Sequence, residues 1–191
     1  MTRVFARRSL ARLAAAALIA GFTAPALAQP KSDPQNTLVL ETPHGRVVIA
    51  LRPDLAPKHA ERMKTLAREG FYDNVPFHRV IDGFMVQTGD GQFGNGTGGS
   101  KYPNLPAEFS GVPFKRGVLG MARASSPNSA NSQFFIMLAE TPSLNGQYTV
   151  VGEVVSGMDV VDKIKKGSSA DNGTVQQPDR IVKVRVAADA K

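Results

Sequence analysis

The chain has no cysteine and only three histidines among its 191 residues. The first absence excludes structural disulfides, cysteine nucleophiles, thiolate metal sites and lipid anchoring through an N-terminal cysteine. It also means that no thiol can misoxidise in an oxidising compartment. His44, His59 and His78 join no cluster of carboxylates at a familiar metal-ligand spacing, and no serine sits in a nucleophile-elbow pattern. Conventional hydrolysis therefore lacks its parts, and no cofactor or metal is expected. Basic runs are short as well. Beyond residue 28 none exceeds the pairs Lys115-Arg116 and Lys165-Lys166, which leaves nucleic-acid binding without a surface.

Long apolar runs are equally scarce. The longest, from Leu13 to Leu27, contains Gly21, Thr23 and Pro25 and falls short of the ~20 residues that cross a bilayer. It is preceded by Arg3, Arg7, Arg8 and Arg12 and followed by Ala26-Leu27-Ala28, the small residues that a signal peptidase reads. Residues 1–28 are thus expected to be a secretory signal cleaved after Ala28. The motif Arg7-Arg8-Ser9-Leu10 also fits a twin-arginine signal, with the general secretory route as the preferred reading. The leader holds four of the 23 basic residues and none of the 16 acidic ones, so the net charge falls from +7 to +3 on its removal. About 163 residues remain, enough for one core that buries roughly two thirds of the unfolded chain's surface.

After a polar lead-in over 29–36, read as flexible, come Thr37–Thr42 and Arg46–Leu51. They are two strand-like runs joined by a short turn at Pro43-His44-Gly45. The period then changes to about 3.6 over Pro57–Glu69, with Ala60, Met63, Leu66 and Ala67 on the inner side, Pro57 at the start and Gly70 at the stop. Further strands are expected at Arg116–Arg123, Ser132–Leu138, Gln147–Val155 and Ile181–Val186. A second helix is expected from a capping box of Ser156 and Asp159 and a staple of Val155 on Val160, with Met158, Val161 and Ile164 buried. Many short strands with two helices argue for a closed eight-stranded antiparallel β-barrel capped by two α-helices, because closure removes exposed edges. No large apolar surface stripe is left unassigned, and a monomer is expected.

The stretch Phe77–Asp90 sets one arginine and one glutamine among long apolar residues, with a turn at Asp82-Gly83. It can be read as a plain barrel hairpin or as a wall that presents Arg79 and Gln87. The loop after it holds a literal GxGxxG at Gly94, Gly96 and Gly99, but Pro103 and Pro106 oppose the helix that a dinucleotide site would need next. A tight surface loop whose backbone approaches a peptide or another loop is the better reading. His78 reads as a core histidine held by a neighbouring carbonyl, or else as a catalytic base. The groups on offer are the donors of Arg79, Gln87, Asn128 or Asn131, and Gln133, interleaved with Phe84, Met85, Phe135 and Leu144. An apolar hollow beside fixed guanidinium and amide donors suits a neutral peptide with one apolar ring.

These segments together resemble the cyclophilins, peptidyl-prolyl cis/trans isomerases. The likeness rests on Phe77-His78-Arg79-Val80-Ile81, Gly83-Phe84-Met85-Val86-Gln87, Gly96-Thr97-Gly98-Gly99, Met121-Ala122 and Ser132-Gln133-Phe134-Phe135-Ile136, in the family's order between Asn36 and Val186. The compact loop from Pro103 to Lys115 and the leader are most similar to the bacterial periplasmic branch. The resemblance implies an isomerase domain over 37–187, with Arg79 catalytic and Gln87 positioning the substrate. It implies Phe84, Met85, Phe135 and Leu144 as walls of a proline pocket, and Gln133, Ala122, Arg123 and Gly96 along a neighbouring groove; Tyr148 and His78 are counted with the substrate-binding residues. The implied partners are proline-containing segments of exported chains in the periplasm, with no nucleic acid and no membrane after cleavage. A non-catalytic chaperone or scaffold that binds such segments is the alternative. The chain departs from the family pattern at Ser143, where a bulky aromatic is common, at Tyr148, where histidine is frequent, and at Asp82, where proline is frequent. The loss of the aromatic is expected to weaken binding of cyclosporin-like cyclic peptides.

Overall fold

The computed structural model describes Met1 and residues 33–189, so the leader reading and the start of the lead-in lie outside the described residues. The strands are β1 (Thr37–Thr42), β2 (Gly45–Leu51), β3 (Arg79–Ile81), β4 (Met85–Thr88), β5 (Val118–Met121), β6 (Phe134–Met137), β7 (Val150–Ser156) and β8 (Lys183–Val186). They form one antiparallel sheet in the order β3-β4-β6-β5-β7-β2-β1-β8. Two helices, α1 (Pro57–Arg68) and α2 (Met158–Val161), pack against β8 and β2 respectively.

Alternation builds this sheet. In β1 and β2 the pairs Leu38↔Ile49 and Leu40↔Val47 face inward, and β8 adds Val186 and Val184 opposite Leu38 and Leu40. Met63 and Leu66 of α1 complete that core together with Phe77, Val80, Val86, Phe134 and Ile136. The central strands β5 and β6 are buried at all four positions, because they serve two cores. Phe134 and Ile136 of β6 point into the main core, while Phe135 and Met137 join Met85, Phe114, Val118 and Val150 in a second cluster on the outer face. That outer cluster is the floor of the site described below.

Two expectations need correction. The sheet is curled but its ladder is not closed: β3 and β8 are edges with no ladder between them. Irregular backbone spans the gap, with Asn74 N donating to Ile181 O at 2.9 Å, Phe77 N to Asp179 O at 2.9 Å and Val80 N to Gly173 O at 2.8 Å. Closure is thus by loop pairing, which satisfies edge groups without a regular strand. The second helix is only four residues long, and Ser156 does not cap it but ends β7. Gly157 takes the cap position with φ +94°, where any Cβ would lie 2.4 Å from Arg46 O. A residue confined to negative φ cannot occupy that crossing, so the chain turns on glycine and the capping box never forms. The end of the lead-in, in turn, is a 3-10 turn over Pro34–Asn36, capped by Asp33 through Gln35 N at 2.9 Å.

Helix α1 runs as expected, but its N-terminus is capped from a distance. Glu108 accepts from Lys58 N at 3.2 Å, from His59 N at 3.1 Å and from His59 Nδ1 at 2.6 Å. This carboxylate satisfies orphan helix donors and sits where the helix dipole favours a negative charge.

Candidate active site

A row of facing residues crosses four strands. Arg79 of β3 pairs with Gln87 of β4, Gln87 with Phe135 of β6, and Phe135 with Gly120 of β5. Directly opposite residues share one face of a sheet, so the row rises from the outer face, above the second cluster. Gly120 is needed for space: a Cβ there would lie 2.3 Å from Phe135 Cζ and 2.7 Å from Phe114 Cε1. Phe135 consequently leans over Gly120, with Phe114 stacked at 5.7 Å and Tyr148 edge-on at 5.7 Å.

The polar members form one chain of hydrogen bonds. Arg79 Nε donates to Asn172 O at 3.0 Å, its Nη2 to Asn172 Oδ1 at 2.9 Å and its Nη1 to Gln87 Oε1 at 3.2 Å. Gln87 Nε2 donates to Gln133 Oε1 at 3.0 Å, and Gln133 Nε2 donates to Gly96 O at 2.9 Å and Gly98 O at 2.8 Å. The glycine loop is held in turn by Asp90, which is 1% exposed. Its carboxylate accepts from the backbone N–H of Gln92, Phe93, Asn95, Gly96 and Gly98 at 2.9–3.2 Å. Burial pushes the Asp90 carboxyl up, but the backbone donors outweigh it and hold the group at about 2. A Cβ on Gly98 would meet Asp90 Oδ1 at 2.3 Å, so the loop closes this tightly only with glycine there.

Arg79, Phe84, Met85, Gln87, Ala122, Arg123, Phe135, Leu144 and Tyr148 line one small cavity of about 110 Å³. It has room for one small ring, well below the roughly 300–1,000 Å³ of drug-sized sites. A larger cavity of about 610 Å³ shares Gln87, Ala122 and Arg123 with it and is lined further by Gly96, Gln133 and Asn131. Burial lowers the Arg79 guanidinium from its ordinary pKa, yet an arginine stays charged in proteins.

His78 is not part of this arrangement. It is 6% exposed and lines a separate cavity with Pro76, Asp90 and Arg180, behind Gly96, whose Cβ would come 3.1 Å from His78 Nε2. Neighbours in an extended chain point to opposite faces, so the residue beside Arg79 is turned away from Arg79's side. Neither ring nitrogen makes a well-formed hydrogen bond among the described residues, and burial depresses the ring's pKa, although the Pro76 carbonyl acts on the ring and raises it in opposition. Asn128 is also elsewhere, accepting from Ala107 N at 2.9 Å. Asn131 fastens the rim of the larger cavity, accepting from Ser100 N and donating to Tyr102 O.

Sequence comparison bears directly on this geometry. The family model described as "Cyclophilin type peptidyl-prolyl cis-trans isomerase/CLD" matches residues 37–186. The chain is 58% identical over 197 residues to the "Probable peptidyl-prolyl cis-trans isomerase" of Brucella suis, covering 98% of this chain and 99% of that one. The chain belongs to the cyclophilins. It is also 41% identical over 147 residues to the Escherichia coli peptidyl-prolyl cis-trans isomerase B, covering 73% of this chain and 90% of that one. Among solved structures, a cyclophilin of Hirschia baltica superposes with a TM-score of 0.75 at 26% identity, covering 83% of this chain and 76% of that one. A cyclophilin-type isomerase of Cryptosporidium parvum, crystallised in the presence of the dipeptide Ala-Pro, gives 0.72 at 28% identity, covering 78% and 98%. This cyclophilin is a peptidyl-prolyl cis-trans isomerase.

Two residues of the hydrogen-bond chain were missed by sequence reading. Asn172 lies in a polar loop 93 positions from Arg79; the only local cue is an asparagine before a glycine, a pair suited to the left-handed φ of +53° found there. Asp90 opens a glycine-rich loop, and a single carboxylate among glycines is a plausible collector of backbone N–H groups. Nothing in the sequence said that it would be buried.

Proposed function

We propose that this cyclophilin accelerates isomerisation of X-Pro bonds in exported chains as they fold, by non-covalent stabilisation of the twisted amide. The barrier to X-Pro rotation is ~18–20 kcal/mol because the amide C–N bond is partly double. A donor to the proline nitrogen's lone pair, or one that holds the proline's own carbonyl beyond the rotating bond, favours the deconjugated, pyramidal nitrogen of the transition state. Arg79 is the donor, and Gln87 aligns the peptide backbone beside it. The apolar walls of Phe84, Met85, Phe135 and Leu144 hold the ring and strengthen the guanidinium's field. Lowering the barrier by about 7 kcal/mol gives roughly a 10⁵-fold acceleration.

The observation that carries this reading is the state of Arg79. Three of the five N–H donors of an arginine are tied to Asn172 and Gln87, and the other two have no partner among the described residues. They belong to a side chain that lines an apolar hollow the size of one ring. A pure peptide-binding scaffold needs the hollow but not the fixed cation. Exchange spectroscopy on a proline peptide tests it: Arg79→Ala is expected to lose at least a hundredfold of catalysed exchange. Equal rates in the two proteins, both well above the uncatalysed rate, would remove Arg79 from the mechanism.

Export to the periplasm rests on the leader pattern of residues 1–28 and on the general need for such catalysis where X-Pro isomerisation limits folding. Cell fractionation checks it, with the mature form expected in the periplasmic fraction as a monomer; a leaderless chain that partitions identically would count against it.

A further inference from the structure

The two cavities that meet at Ala122 and Arg123 are lined by two guanidinium groups, Arg79 and Arg123, and by no carboxylate. Several other arginines face carboxylates, Arg52 on Asp54 at 2.7 Å, Arg68 on Asp189 at 2.8 Å and Arg116 on Asp162 at 2.7 Å, whereas Arg62 and Arg180, which like Arg123 face none among the described residues, lie outside both cavities. The bonds of Arg123 end instead on neutral backbone carbonyls, those of Gln147, Ala124 and Ser125, at 3.0–3.3 Å. Its guanidinium carbon lies 4.6 Å above the Tyr148 ring, which is itself edge-on to Phe135. The cation is therefore fixed in place and not neutralised, on the shared rim of both cavities. A pre-organised arginine gives up little freedom when a carboxylate meets it, and the aromatic wall beside it raises the interaction above that of a fully solvated pair.

We propose that Arg123 determines specificity, making this enzyme favour proline segments that carry a carboxylate side chain next to the proline. The carboxylate sits on the flank that enters the larger cavity, and lysine or arginine there is disfavoured. The proposal rests on the reading that the small hollow takes the proline ring. The flanking residue then lies beside the larger cavity, which adjoins the small one at Gln87, Ala122 and Arg123. Arg79 cannot serve as the selecting cation, because its remaining donors are engaged with the prolyl amide. The amide groups of Gln133 and Asn131 on the same lining add hydrogen-bond capacity for a carboxylate without adding charge.

The test is a peptide set built on one neutral Ala- and Pro-containing sequence, with single Glu or Lys substitutions on either side of the proline. Affinity is read by NMR titration and catalysed exchange on the same samples. Glu is expected to exceed Lys by about tenfold on one flank at low salt, and the ratio is expected to shrink toward unity near 1 M salt, where screening acts over ~3 Å. In Arg123→Gln the ratio collapses whatever happens to the neutral peptide, while in Arg123→Lys most of it remains. Ratios within twofold of unity on both flanks, or a ratio unchanged in Arg123→Gln, would overturn the proposal. Binding and turnover fail separately. A protein that prefers Glu in the titration but does not accelerate exchange sustains the charge preference and sinks the isomerisation mechanism. One that binds no peptide of the set overturns both.

Discussion

Asp90 and Arg79 stand at the two ends of one hydrogen-bond chain, and the two ends are finished differently. At the Asp90 end a buried carboxylate gathers five backbone N–H groups and excludes solvent. At the other end a half-buried guanidinium is tied on one side by Asn172 and Gln87, while its remaining donors belong to an apolar hollow. Between them run Gly96, Gly98, Gln133 and Gln87. Folded proteins pair their buried polar groups almost completely, and under the proposed mechanism the end that stays incomplete is where the substrate supplies the missing partner. The saturated end keeps the unsaturated one in register.

The largest effect that would break this contrast is at the saturated end. Asp90→Ala strips the acceptors from a buried loop and is expected to lower unfolding free energy by roughly 3 kcal/mol, with Asn intermediate, as read by urea titration. Activity should fall with it, because the carbonyls that hold Gln133 move; a folded variant with wild-type exchange rates would show that the two ends act separately. A smaller and more selective effect is expected at the other end. Asn172→Gly keeps the left-handed backbone but removes the side-chain acceptor, and should reduce kcat about tenfold to a hundredfold. KM should scarcely move, and stability should change by less than about 1 kcal/mol.

The last effect concerns pH. Asp90 is held at about 2 in the fold against ~3.9 when unfolded. Its carboxylate therefore stabilises the fold fully above about pH 4. That contribution is lost as pH falls toward 2, when the unfolded state binds the proton first. Activity should instead be flat from pH 6 to 8, since Arg79 keeps its charge and burial depresses the pKa of both His59 and His78. A bell-shaped profile would bring His78 into the chemistry.

Local patterns predicted local structure well. Alternation and short apolar runs placed β1, β2, β6 and β8, and the 3.6 period placed α1 with its inner face. The β3–β4 hairpin was legible too, but its register was not: a two-residue turn at Asp82-Gly83 would set Arg79 opposite Val86, whereas the loop of three residues, Asp82-Gly83-Phe84, pairs Ile81 with Met85 and brings Gln87 opposite Arg79. Legibility failed where a residue's role depends on a distant partner. Glu108 caps α1 from 49 positions away, and Asn172 holds Arg79 from 93. Ser156 had the chemistry of a cap, but the approach of Arg46 O to Gly157 decided that corner. His78 is buried as its apolar neighbours suggested, but it lines a cavity apart from Arg79, since an extended chain sends neighbours to opposite faces.

The gap between β3 and β8 bears on how the molecule breathes. Arg79 sits on an edge strand whose outer side is held only by irregular backbone bonds, Val80 N to Gly173 O at 2.8 Å and Gly167 N to Val80 O at 2.9 Å. Segments fastened this way open at lower free energy than strands embedded in a ladder. The Val80 amide should exchange its hydrogen well before those of β1 or β6, while the rest of the sheet stays intact. Its exchange rate thus measures how often Arg79 and its asparagine brace come apart in the folded protein.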